Sequence, residues 1–220
     1  YAKDKIGIHY NSQVSSLRGN GGKITDMVLS NGQVIKSDYY VSAVPFYEFQ
    51  NMFADEVFTE HFAEYEELKS SSILSVYLVP EKMPKGFNEK FYFGMVGIIN
   101  GFIQWVFFKE DYISVIISAP EFTVKGFDKM TKETVCELAE IEIKDYFPEF
   151  RDVRFKRIKY FREKRATFLP ETNSNKCRLD TESSIKNLFI AGDWTNTGLP
   201  STIEGAVLSG KKCMEAISKV

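Results

Sequence analysis

Three cysteines and two histidines are all the thiol and imidazole ligands that 220 residues supply. Cys136, Cys177 and Cys213 lie far apart, no C-x-x-C pair occurs, and His9 and His61 stand near none of them. That scatter gives neither a metal-ligand motif nor a disulfide framework, so no metal is expected and a reducing, cytoplasmic compartment is. An excess of one charge is also missing: 28 Lys and Arg face 30 Asp and Glu, for a formal net charge of −2. A nucleic-acid partner needs a basic face, and none is expected. No apolar run reaches the roughly 18 residues that span a bilayer, and nothing near Tyr1 reads as a signal peptide. The chain goes from Tyr1 straight into strand-like sequence, which suggests a piece of a longer or processed protein.

What is abundant is aromatic: 19 Phe and 11 Tyr, within 44% hydrophobic residues. This suffices for one large domain or two small ones. Residues 5–43 read as β-structure. Asn20-Gly21-Gly22 is a turn, and Asn31-Gly32 carries the type I′ hairpin signal, in which both central residues need positive φ. Tyr39 to Val44 is a nearly continuous apolar run closed by Pro45, as in a strand buried on both faces. Residues 46–68 look helical in two pieces around Asp55. Strands are expected at 71–79, 91–93, 102–108 and 112–118, and a helix from an N-cap at Thr131 to about Tyr146, ended by Pro148. Its apolar side combines Val135, Leu138, Ala139 and Glu142, widened by Ile141 and Ile143. Arg151 to Arg165 alternates basic with apolar residues. It reads first as a strand with a solvated face and second as an anion or membrane-headgroup patch.

The end of the chain carries most information. Leu188-Phe189-Ile190-Ala191 is a short buried strand; Gly192-Asp193 follows, then a loop with Gly198 and Pro200, then a helix. Ser201-Thr202-Ile203-Glu204 has the S-x-x-E form of a capping box, with Ser201 as N-cap. Ile203, Ala206, Val207, Gly210, Met214 and Ile217 recur at helical spacing as one apolar stripe. A strand, a glycine turn and a helix N-terminus together make an anion-binding corner.

The run from Ala191 to Gly210 resembles the C-terminal FAD motif of flavin amine oxidases, phytoene desaturases and their relatives. The hairpin from Gln13-Val14 to Asp38, with Tyr39 to Pro45 after it, resembles the middle FAD segment of that family. The resemblance implies FAD as cofactor. It implies FAD contacts at Val14, Ala43, Pro45, Gly192, Asp193, Gly198, Leu199, Pro200, Thr202 and Ile203, with Asp193 beside the ribityl-pyrophosphate and the helix N-terminus near Thr202 and Ile203 at the pyrimidine end of the flavin. It also implies an α/β fold with an α+β substrate lobe: the C-terminal part of a two-domain FAD-dependent oxidoreductase. Residues 1–50 and 171–220 would be the remainder of the FAD-binding domain and 51–170 the substrate-binding domain. The family's N-terminal G-x-G-x-x-G turn, part of a βαβ unit, does not occur in this sequence. Weak FAD binding by this chain alone, or an inactive folded fragment, is the corresponding expectation. The missing segment would be its partner.

Glu163 to Phe168, and Gln104 to Phe107 leading to Val115 to Ala119, look like the squalene-associated desaturases, the hydroxysqualene dehydroxylases. The implied activity is hydride transfer from reduced FAD to hydroxysqualene, with phytoene desaturation or amine oxidation as alternatives. Trp105 reads as core and Arg165 as a structural ion-pair partner; the other reading puts Arg165, the one catalytic candidate, near the flavin or substrate mouth. Phe87, Phe91, Tyr92, Phe93, Phe102, Phe107 and Phe108 read first as core and second as the lining of an apolar tunnel for an isoprenoid substrate. Peripheral contact with a membrane is left open.

Overall fold

A computed structural model describes residues 6–62, 68–85, 87 and 94–220. The chain forms two compact units: Tyr1–Leu68 with Pro170–Val220, and Lys69–Leu169. It is a mixed α/β structure. Among the described residues no helix is long and apolar enough to cross a membrane.

The first unit opens with an antiparallel meander of β1 (Val14–Asn20), β2 (Lys23–Leu29) and β3 (Val34–Ile35). The two hairpins reverse the turn expected from sequence. Gly21 and Gly22 both take positive φ (61° and 72°), so the tight two-residue turn lies there. At Asn31-Gly32 only Gly32 is left-handed, at φ 85°. The Asn31 side chain instead accepts the Gln33 N–H at 2.9 Å, a local bond that asparagine makes as readily as it makes left-handed backbone.

β4 (Tyr40–Ser42) pairs in parallel with β10 (Leu188–Ile190), joining the two ends of the chain. β10 is buried throughout, but β4 is not the strand buried on both faces that its composition suggests: Val41 is 49% exposed between buried Tyr40 and Ser42. α1 (Phe46–Phe49), a 3₁₀ turn over Gln50–Met52 and α2 (Asp55–Phe62) follow. The unit runs past residue 50 to Leu68 because Phe49 packs on Phe62 (5.1 Å between ring centroids) and on Trp194 (5.6 Å).

The second unit is a five-stranded antiparallel sheet, in the order β6 (Met95–Gly97), β7 (Trp105–Phe108), β8 (Ile113–Ser118), β5 (Ser70–Pro80) and β9 (Phe155–Phe168). The strand expected at 91–93 lies outside the described residues. After β8 come α3 (Pro120–Thr123) and α4 (Lys132–Tyr146), and alternation sends Leu74, Val76, Leu78 and Val115 into one core with Val135, Ala139 and Ile143 of α4. Thr131 caps α4 by accepting the Thr134 N–H, and Ile141 points outward, so the buried stripe is narrower than expected. Glu142 accepts the N–H groups of Phe102 and Ile103, each at 2.8 Å, in place of an apolar contact. Phe87 and Phe108 belong to this core, 4.7 Å apart edge to face. Phe91 to Phe93 lie outside the described residues.

The opposite face of the sheet carries a row in strict register: Gly97, Trp105, Ile116, Ser75 and Phe161. Trp105 is 43% exposed and so is not core, and Phe161 is exposed as well.

Candidate functional site

Sequence-distant residues meet where β4 and β10 end. The Ala191 N–H donates to Ser42 O at 2.8 Å, and the Trp194 indole N–H to Val44 O at 3.0 Å. Ala43 and Pro45 are thereby brought to Gly192 and Asp193. Val14 and Ala43 share a cavity of about 330 Å³ with Leu17, Tyr39, Met52 and Leu188. Ser42 stands in the same wall. Its hydroxyl is buried and, among the described residues, has no hydrogen-bond partner. A buried hydroxyl of that kind is a polar group waiting for a ligand or water.

Gly192 holds φ 145°, and a Cβ there would lie 2.7 Å from the Trp194 indole nitrogen. No other residue type fits without displacing Trp194. The loop then reaches α5 (Ile203–Ile217), where a Cβ on Gly205 would meet Pro200 O at 2.9 Å, so the helix start packs directly on loop backbone. Gly198, left-handed at φ 82°, and Pro200 are exposed at the loop's surface, and Leu199 is half-buried.

The cap differs from the expected box. Thr202, not Ser201, is the N-cap, its hydroxyl accepting the Gly205 N–H at 3.2 Å. Ser201 is engaged elsewhere: its hydroxyl donates to the Asp193 carboxylate. The third helical residue is then Gly205, which has no side chain to reach back, so Glu204 forms no box and lies exposed in the first turn. The helix start near Thr202 and Ile203 is the positive end of a 15-residue helix, where first-turn N–H groups lack intrahelical partners and negative charge is favoured.

The buried face of α5 is Gly205, Ser209, Cys213 and Ala216, while Ile203 (86% exposed), Val207 (66%) and Met214 (62%) lie outside. Most of the expected apolar stripe is therefore uncovered, although Ile217 packs against the buried Cys213 and Ala216. Small side chains won because they admit the helix closely: the Ser209 hydroxyl accepts the Gly192 N–H at 2.8 Å and donates to Ala206 O. Burial pushes the Cys213 thiol up, and it donates to Ile190 O at 3.3 Å.

One residue absent from the sequence reading holds the loop. Arg178, 7% exposed, donates to the carbonyls of Asp193, Trp194, Thr195 and Leu199. Its only sequence signal was a cation, two residues after Lys176, in a polar, turn-rich stretch. Arg165 belongs to the second unit, on β9, with its side chain exposed and its N–H donating to Glu163 Oε1 at 3.2 Å.

The hydroxysqualene dehydroxylase of Rhodopseudomonas palustris is 33% identical over 127 residues, which is 56% of this chain and 28% of that protein. The 15-cis-phytoene desaturase of Glycine max is 23% identical over 220 residues, 96% of this chain and 39% of that protein. The chain thus spans well under half the length of these curated relatives. Among solved structures, reduced UDP-galactopyranose mutase superposes with a TM-score of 0.67 at 12% identity, covering 99% of this chain and 49% of that one. A putrescine oxidase variant gives 0.64 at 10% identity, over 96% and 49%. These likenesses establish the fold. Residues 2–218 match the model of the flavin containing amine oxidoreductases, and the chain belongs to that family of FAD enzymes.

Proposed function

We propose that the full-length protein transfers hydride from reduced FAD to hydroxysqualene, giving squalene, and that residues 1–68 and 170–220 are its share of the FAD-binding domain. The observation that carries this is the corner where Gly192, Asp193 and the N-terminus of α5 meet β4. In this reading Asp193 is held by Ser201 to face the ribityl chain. The first-turn N–H groups near Thr202 and Ile203 stabilise negative charge at the pyrimidine end of the flavin. Val14, Ala43 and the unpartnered Ser42 hydroxyl line the adenine-side cavity. The residues present therefore fit a flavin dinucleotide. The exposed stripe of Ile203, Val207 and Met214 suits a face supplied by a further segment of the FAD domain.

When bound, reduced FAD supplies the hydride. The C–O bond of the substrate breaks, the hydroxyl leaves as water with a proton, and hydride closes the carbon centre. The protein's part is to orient and to exclude water. The uncovered sheet face, with Trp105, Ile116 and Phe161 in one row, supports an apolar substrate in unit 69–169. The dehydroxylase relatives at 33 and 34% identity favour hydroxysqualene. Phytoene desaturation, with hydride flowing toward FAD, is the second reading, favoured by a match along 96% of the chain.

The test is single turnover with the full-length protein. Anaerobic reduced enzyme mixed with hydroxysqualene should form one squalene per flavin oxidised. Oxidised enzyme that instead desaturates phytoene would establish the second reading, and turnover of neither would refute both.

A further inference from the structure

The loop from Asp193 to Leu199 has little regular structure of its own, yet the proposed FAD site depends on its shape. Its backbone converges on one cation. Arg178 Nε donates to Trp194 O at 3.2 Å, one terminal nitrogen to Leu199 O at 2.8 Å, and the other to Asp193 O at 3.1 Å and to Thr195 O. Thr197 Oγ1 and Asn175 Oδ1 lie at the edge of reach, both at 3.4 Å. Burial pushes the guanidinium pKa down and the nearby Asp193 charge raises it again. Desolvating a cation is costly, and the fork of a guanidinium offsets that cost only when several acceptors share it. Here those acceptors include both ends of one loop.

The same loop carries the pieces the cofactor reading needs. Asp193 is gripped twice, its carbonyl by Arg178 and its carboxylate by Ser201. Leu199, the other anchored end, leads through Pro200 into the cap at Thr202 and the start of α5.

We propose that Arg178 is the positioning residue of the FAD site, fixing the 193–199 loop so that the Asp193 carboxylate and the first-turn N–H groups of α5 are presented to the cofactor in one geometry. This rests on the FAD reading above. Arg178 touches no reacting atom and acts through the loop. A lysine keeps the charge but cannot serve the carbonyls of Asp193, Trp194, Thr195 and Leu199 at once.

The experiment uses the full-length protein, stripped of flavin and titrated with FAD, in wild type, Arg178→Lys, Thr197→Ala and Asn175→Ala. Losing one charge-assisted anchor at a ligand loop corresponds to about tenfold or more in affinity. Arg178→Lys should therefore bind FAD about tenfold or more weakly. The flavin that binds at saturation should have a lowered midpoint potential, since a loosened N–H array favours the anionic reduced form less. Thr197→Ala, which leaves the arginine in place but removes a loop hydroxyl that meets it and accepts the Leu199 N–H at 3.2 Å, should shift both in the same direction by less, and Asn175→Ala, outside the loop, should leave both at wild-type values. Wild-type affinity and potential in Arg178→Lys would overturn the proposal, whatever happens to its melting. Failure of the wild type to take up FAD would overturn the cofactor reading itself and the proposal with it. The two failures are distinguishable because only the second appears in the unmutated protein. If Arg178→Lys does not fold, Thr197→Ala decides: unchanged affinity and potential there would refute the role.

Discussion

Exchanging the cap at Thr202 separates two neighbouring hydroxyls that sequence alone cannot rank. The Thr202 hydroxyl accepts the Gly205 N–H at 3.2 Å in an exposed setting, at the long end of the N–H···O range. Thr202→Ala should cost about 1 kcal/mol, while Thr202→Ser, which keeps a capping hydroxyl, should leave stability unchanged or slightly raised. Ser201→Ala leaves this cap whole and removes a donor from Asp193 instead. Urea melts of the full-length protein measure the totals. Amide exchange at Gly205 measures the cap itself: about 1 kcal/mol corresponds to roughly fivefold faster exchange in Thr202→Ala. Ser201→Ala should leave that amide unchanged. Faster Glu204 exchange in Ser201→Ala, with Gly205 exchange unchanged in Thr202→Ala, would restore the S-x-x-E box and refute the cap described above.

Two further outcomes follow from the geometry. Gly192→Ala places a Cβ 2.7 Å from the Trp194 indole nitrogen at φ 145°, so it should destabilise by about 2 kcal/mol or more and shift Trp194 fluorescence as the bond to Val44 O breaks; wild-type melts and emission would contradict this. In the second unit, burial alone would raise the Glu121 carboxyl. Hydrogen bonds from the Ser72 hydroxyl and N–H and its own N–H, with the Arg162 charge, bring it below its ordinary value instead. A depressed folded pKa means stability that is present above the unfolded value of about 4.3 and lost as pH falls through the folded value. The stability gap between wild type and Glu121→Gln should therefore be full at neutral pH and close in acid; a pH-independent gap would contradict it.

Much of this architecture was readable because local signals agreed with one another. Thr131 and Pro148 bracket α4 where capping chemistry puts its ends, and the alternation in β5 matches the buried Leu74, Val76 and Leu78. Most of the failures share a cause: partners outside the local segment decided between locally equal choices. Ser201 and Thr202 are both good caps, and Asp193 took one of them. Ile203, Val207 and Met214 are the more hydrophobic face of α5, yet Gly205 and Ser209 allow closer approach to the 191–200 backbone, and that approach set the buried side. Asn31-Gly32 satisfied its turn through the asparagine side chain, which a dipeptide pattern does not encode. Arg178 was invisible because its acceptors are carbonyls, and carbonyls leave no trace in composition.

The central claim is that Asp193 and the N-terminus of α5 hold FAD. Its most direct measurement is the flavin content of full-length Asp193→Ala after dialysis, beside wild type, with folding checked by far-ultraviolet circular dichroism. Retention of FAD near one per chain in wild type, and its loss from a folded Asp193→Ala, is the result this account predicts. Equal flavin content in both proteins would contradict it.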